Sequence, residues 1–81
     1  MKVRIVFFAL ARDQVGREEM ELEHSTSLTV RELRDLLMNR FPAAAVILGR
    51  SMIAVNEEYA ADGQSITENA TVAFIPPVSG G

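Results

Sequence analysis

The strongest constraint on this chain is one well-signalled helix set between segments that read as strands. Thr29 and Glu32 have the spacing of a capping box, in which each side chain satisfies a backbone N–H at the helix start. Val30, Leu33, Leu37 and Phe41 then recur at helical spacing as one apolar stripe, with Leu36 beside it. Arg31, Arg34, Asp35 and Arg40 fall on the other faces. Pro42 stops the run, because its ring cannot continue the hydrogen-bond ladder. One helix cannot cover both faces of a sheet, so this one should lie across a single face. The chain has 81 residues, which suits one domain near the lower size limit for an unaided core.

The flanking segments alternate. Lys2 to Ala9 reads as a strand with Val3, Ile5 and Phe7 on one face and Arg4, Val6 and Phe8 on the other. Asp13, Gln14 and Gly16 supply turn chemistry, and a second strand follows in which Met20 and Leu22 alternate with Glu19, Glu21 and Glu23. Their proximity predicts a hairpin. Beyond the helix, Ala43 to Leu48 is apolar and reads as a further helical turn ended by Gly49. Ser51 to Val55 reads as a third strand, turned at Asn56-Glu57 into a short fourth near Tyr59. After turns at Asp62-Gly63 and Glu68-Asn69, Ala70 to Ile75 is the last strand, with Val72 and Phe74 opposite Ala73 and Ile75. The order is strand, strand, helix, strand, short strand, strand. It predicts an α+β fold, a mixed sheet with one main helix across one face, in the β-grasp (ubiquitin-like) arrangement by analogy.

Composition removes most kinds of chemistry. There is no cysteine, hence no disulfide, thiolate metal site or thiol nucleophile, and the only histidine, His24, leaves no conventional Ser-His or Cys-His pair. A net charge of −3 with scattered basic residues argues against nucleic acid as the main partner. No apolar stretch approaches the roughly 18–20 residues that cross a bilayer. No signal-peptide pattern precedes the first strand, so a cytoplasmic location is expected. Glu18, Glu19, Glu21 and Glu23 raise the idea of a metal site, but alternation puts the last three on one solvated face, and His24 reads as a solvated strand-end residue. No metal and no bound cofactor are expected.

What remains is the tail. Residues 1–75 make the domain, and 76–81 form a segment ending Pro76-Pro77-Val78-Ser79-Gly80-Gly81. Consecutive prolines favour an extended conformation, so such a segment reaches roughly 18–20 Å at about 3.1–3.3 Å per residue. Two glycines leave no side chain beside the terminal carboxylate, which suits entry into a narrow channel where a Cβ would collide. Ordering a tail costs roughly 1–2 kcal/mol per residue, so a partner must grip it firmly.

Three segments resemble the small subunits of molybdopterin synthase, a family of ubiquitin-like sulfur carriers. They are Val3-Arg4-Ile5-Val6-Phe7-Phe8-Ala9 with Gly16 behind it, Ala54-Val55-Asn56, and Val72 through Gly81. The resemblance implies that an adenylating enzyme related to ubiquitin-activating enzymes uses ATP to join Gly81 to AMP. It implies that sulfur from a persulfide donor then replaces AMP, leaving a thiocarboxylate. The loaded tail, with Gly80, Ser79, Val78, Pro77 and Pro76 behind Gly81, would enter the large subunit of a heterotetrameric synthase. There it would donate sulfur to cyclic pyranopterin monophosphate, building molybdopterin. The acid and base groups would belong to the partner, and this chain would be a sulfur-donating co-substrate.

If Val3, Ile5, Phe7, Val72 and Phe74 face the helix, then Val6, Phe8 and Ile75 lie on the opposite face as an exposed apolar patch at the root of the tail. The family's interface maps onto Phe8, Tyr59 and Ile75, with Ile75 departing from the aromatic residue expected there. The competing reading is that the tail or a loop covers these residues. Other functions also stay open at this point: a sulfur carrier for thiamine or another cofactor, a ubiquitin-like modifier joined to lysines through Gly81, or a binding domain with an inert tail.

Overall fold

The structure, a computed structural model, describes residues 1–78; Ser79, Gly80 and Gly81, three of the predicted site residues, lie outside the described residues. The elements run β1 (Lys2–Phe7), α1 (Ala9–Val15), β2 (Glu19–Glu23), α2 (Val30–Arg40), a 3-10 turn (Pro42–Ala44), α3 (Ala45–Arg50), β3 (Met52–Val55), β4 (Glu58–Tyr59) and β5 (Thr71–Ile75). The five strands form one sheet in the order β2-β1-β5-β3-β4. The first and last strands of the chain are parallel neighbours at its centre, with Val6 beside Ala73 and Phe7 beside Phe74. The other pairings are antiparallel.

Alternation along the central strands decides which face is covered. Val3, Ile5, Phe7, Val72 and Phe74 are all buried, and they pack with Val30, Leu33 and Leu37 of α2 in one core. Phe7 and Phe74 meet at 5.8 Å between ring centroids, and Phe41 closes edge-on against Phe7 at 6.3 Å. The predicted capping box is present: the Glu32 backbone N–H donates to Thr29 Oγ1, and the Thr29 N–H donates to Glu32 Oε1 at 2.9 Å. That second bond, from backbone to carboxylate, is the main reason the Glu32 carboxyl sits below its ordinary pKa.

Three expectations are corrected. The first strand ends at Phe7 rather than Ala9, since Ala9 takes a φ of 48° and turns the chain out of the sheet. No tight hairpin joins β1 to β2; α1 intervenes, and the two strands still pair antiparallel, with Val6 opposite Glu19. Helix α1 closes on Gly16, whose φ of 89° is the left-handed C-cap conformation glycine adopts without cost, and whose N–H donates to the Arg12 carbonyl. The third correction concerns α3, which runs through Gly49 to Arg50.

Arg34 has a role its helical spacing does not reveal. Its Nη1 donates to the carbonyls of Leu48 at 2.7 Å and Ser51 at 2.8 Å, and Nη2 lies 3.2 Å from Asp62 Oδ1. The guanidinium thus satisfies carbonyls left over at the end of α3 and ties that end to α2 and to the loop before β5. Ser51, the buried polar residue of this corner, donates from Oγ to the Ile47 carbonyl.

Candidate functional site: the open face of the sheet

With the helices on one side, the other face of the sheet is left uncovered among the described residues. Strand register lays it out in rows. Nearest the end of β5, Ile75 stands opposite Met52 of β3. The next row crosses the sheet from Glu19 through Val6, Ala73 and Ala54 to Tyr59. Below it come Glu21, Arg4 and Thr71, and then Glu23 and Lys2. The face is therefore apolar near the end of β5 and charged toward the start of β1.

The apolar rows enclose a shallow depression of about 330 Å³ whose lining includes Val6, Phe8, Tyr59, Ala73 and Ile75. Phe8 and Tyr59 are 47% and 67% exposed, and Met52, at 53%, extends the apolar surface past the rim. These large apolar side chains are exposed together on one small face. Phe8 is placed there by the chain reversal at Ala9: its N–H donates to the Phe74 carbonyl at 3.2 Å, and its own carbonyl accepts from Ala11 and Arg12. The residue thus joins β1 to α1 while its ring stays outside the core.

Phe8, Tyr59 and Ile75 are thus brought together. No described loop covers them, so the reading in which a loop buries the patch fails for residues 1–78. Pro76 is half-buried, and Pro77 and Val78 are exposed, outside any strand or helix. Ala73 lines the depression too, on the face that alternation gives it with Ile75, while Glu57, Ala54 and Thr71 also line it without being marked for this face by the sequence pattern. The signal for them was register, which depends on which strands become neighbours and is not visible in one strand's alternation.

At the charged end both cations are paired with carboxylates. Arg4 Nη2 lies 2.6 Å from Glu19 Oε2, a contact that raises the Arg4 pKa above its ordinary value, and Lys2 Nζ lies 3.8 Å from Glu23. Among the described residues no group of three or more His, Cys, Asp or Glu side chains is placed to hold a metal ion. His24 is partly exposed, its Nδ1 within 3.1 Å of the Thr26 carbonyl. Among the described residues no helix is long and apolar enough to cross a membrane.

A mixed sheet with its first and last strands parallel at the centre, and a capped helix across one face, is the ubiquitin-like β-grasp fold. The chain belongs to the ThiS family, whose model matches residues 5–81. It is similar to the molybdopterin synthase sulfur carrier subunit of Caenorhabditis briggsae, at 34% identity over all of this chain and 99% of that one. Its counterpart in Mycobacterium tuberculosis is 33% identical, again over 100% and 99% of the two chains. Among solved structures, SAMP1 from Haloferax volcanii superposes with a TM-score of 0.85 at 24% identity, covering all of both chains, which establishes the fold.

Proposed function

We propose that the chain is a sulfur carrier, the small subunit of a molybdopterin synthase, bearing sulfur as a thiocarboxylate on Gly81. The observation that carries this reading is the full-length similarity to sulfur carrier subunits of that enzyme, with the family model running through Gly81. A carboxylate is a poor electrophile, so adenylation by a partner enzyme at the expense of ATP supplies the leaving group. A persulfide donor displaces AMP to give an acyl disulfide, and a second thiol reduces that to the thiocarboxylate, leaving a disulfide on the donor side. The loaded terminus then gives its sulfur to cyclic pyranopterin monophosphate within the large subunit. A dithiolene holds two sulfurs, so two loaded chains are used for each molybdopterin.

The chain binds no cofactor of its own in this scheme, and its contribution is the Gly81 carboxylate together with a docking face. The open face sits at the root of residues 76–81, so one surface serves both the activating enzyme and the large subunit. A solved complex of subunits 1 and 2 of the molybdopterin-converting factor from Helicobacter pylori contains a chain of the same fold, with a TM-score of 0.71. The reading places the reaction in the cytoplasm, where thiols are kept reduced.

Docking through the open face is tested by Phe8→Ala combined with Ile75→Ala. Neither side chain belongs to the buried core, so the melting temperature should move by only a few degrees, while affinity for the large subunit falls about tenfold or more, as for truncated interface anchors. Titration calorimetry measures both affinities. Equal binding by the double variant contradicts docking through this face.

A further inference from the structure

The β3–β4 hairpin puts a charged side chain where glycine is the usual residue. Asn56 and Glu57 both have positive φ, 49° and 71°. A two-residue turn with both angles positive is commonly Asn-Gly, because asparagine tolerates this region and glycine meets no Cβ penalty in it. Glutamate has neither advantage. Glu57 is nevertheless exposed at the edge of the apolar depression, sharing its lining with Phe8, Tyr59 and Ile75.

Nothing within the described chain compensates for this placement. No cationic group among the described residues pairs with Glu57, and the two cations of the open face are already engaged, Arg4 with Glu19 and Lys2 with Glu23. The Asn56 side chain does have a local task, since its Oδ1 accepts from the Thr71 N–H at 2.9 Å. A strained residue without an internal contact, at the edge of an exposed apolar surface, fits a group that acts on another molecule.

We propose that Glu57 is a specificity-determining residue of the docking face, set to meet a guanidinium or ammonium group on the large subunit. The proposal rests on the docking reading above and adds the chemistry of its partner. As an apolar surface closes over Phe8 and Ile75, a carboxylate at its edge favours approach by a basic surface and penalises an acidic one.

The test uses the full chain and the large subunit of the same organism, with Glu57→Gly and Glu57→Gln measured by titration calorimetry at low and high salt. Both variants should bind about tenfold more weakly at low salt, with a smaller salt dependence than the unaltered chain. Glu57→Gly should also raise the melting temperature by about 4 °C as the turn relaxes. A variant that is more stable yet binds less well separates a partner-directed role from a structural one. Undiminished binding by both variants overturns the proposal and leaves the docking reading intact. A lowered melting temperature for Glu57→Gly removes the strain it stands on and overturns it too. Failure of the unaltered chain to bind the large subunit overturns the functional reading, and this one with it.

Discussion

Phe74→Ala should bring the domain close to unfolding. Phe74 is fully buried in β5, between β1 and β3, and its ring packs on Phe7. Removing a buried phenyl ring costs about 3–5 kcal/mol, combining lost transfer energy with the cavity left behind. A domain of this size has a total stability of roughly 4–12 kcal/mol, so that loss is a large fraction of the whole. Collapse of neighbours into the cavity is restricted, because Phe7 and Phe41 are held in their own strand and helix end. In urea the unfolding midpoint should fall by about 2–4 M, taking a slope near the low end for small proteins. A fall of less than about 0.5 M would contradict a core centred on this pair of rings. The effect should reach the proposed docking as well, since Phe74 adjoins Ile75, the last residue of β5 and part of the apolar depression.

The second large effect is chemical and leaves the fold alone. One extra residue after Gly81 should abolish sulfur transfer, because adenylation needs a free carboxylate on Gly81 itself. The loss should reach about a thousandfold or more in a single-turnover assay, the scale expected when the reacting group itself is removed. The extended chain should still melt at the same temperature and still bind the large subunit through Phe8, Tyr59 and Ile75. Retained transfer would place the chemistry elsewhere in the chain. Loss of both binding and transfer would instead make residues 76–81 the main source of affinity.

Legibility of this fold in the sequence followed the range of the interactions involved. The capping box at Thr29 and Glu32 and the stripe of Val30, Leu33 and Leu37 depend on neighbours three or four residues apart, and the structure shows both. The buried faces of β1 and β5 were equally plain, since a period of two reads directly as inside and outside. Helix α1 was hidden because Asp13, Gln14 and Gly16 look like a turn, whereas Gly16 is the cap that ends a helix of Ala, Leu and Arg. Only Ala11 of that helix is buried, so it presents almost no apolar stripe.

The candidate site divides in the same way. Phe8 and Ile75 could be assigned to the open face from alternation, and Tyr59 came through the family resemblance. Ala54 and Thr71 become neighbours of the patch only once β5 pairs with β1 and β3. Arg34 reads as one more surface cation on a helix, and its partners, among them Leu48, Ser51 and Asp62, come from segments distant in the chain. Turn sequences announce that Asn56-Glu57 reverses the chain, but the strain in Glu57 follows from the two-residue length of the loop, which the pairing of Val55 with Glu58 sets.

The central claim is that Gly81 carries sulfur. Its most direct test is the intact mass of the unaltered chain after incubation with the activating enzyme, ATP, a persulfide donor and a thiol reductant. The account predicts an increase equal to the difference between one sulfur and one oxygen atom, lost again when the large subunit and cyclic pyranopterin monophosphate are added. A mass that stays unchanged while the activating enzyme consumes ATP would contradict it.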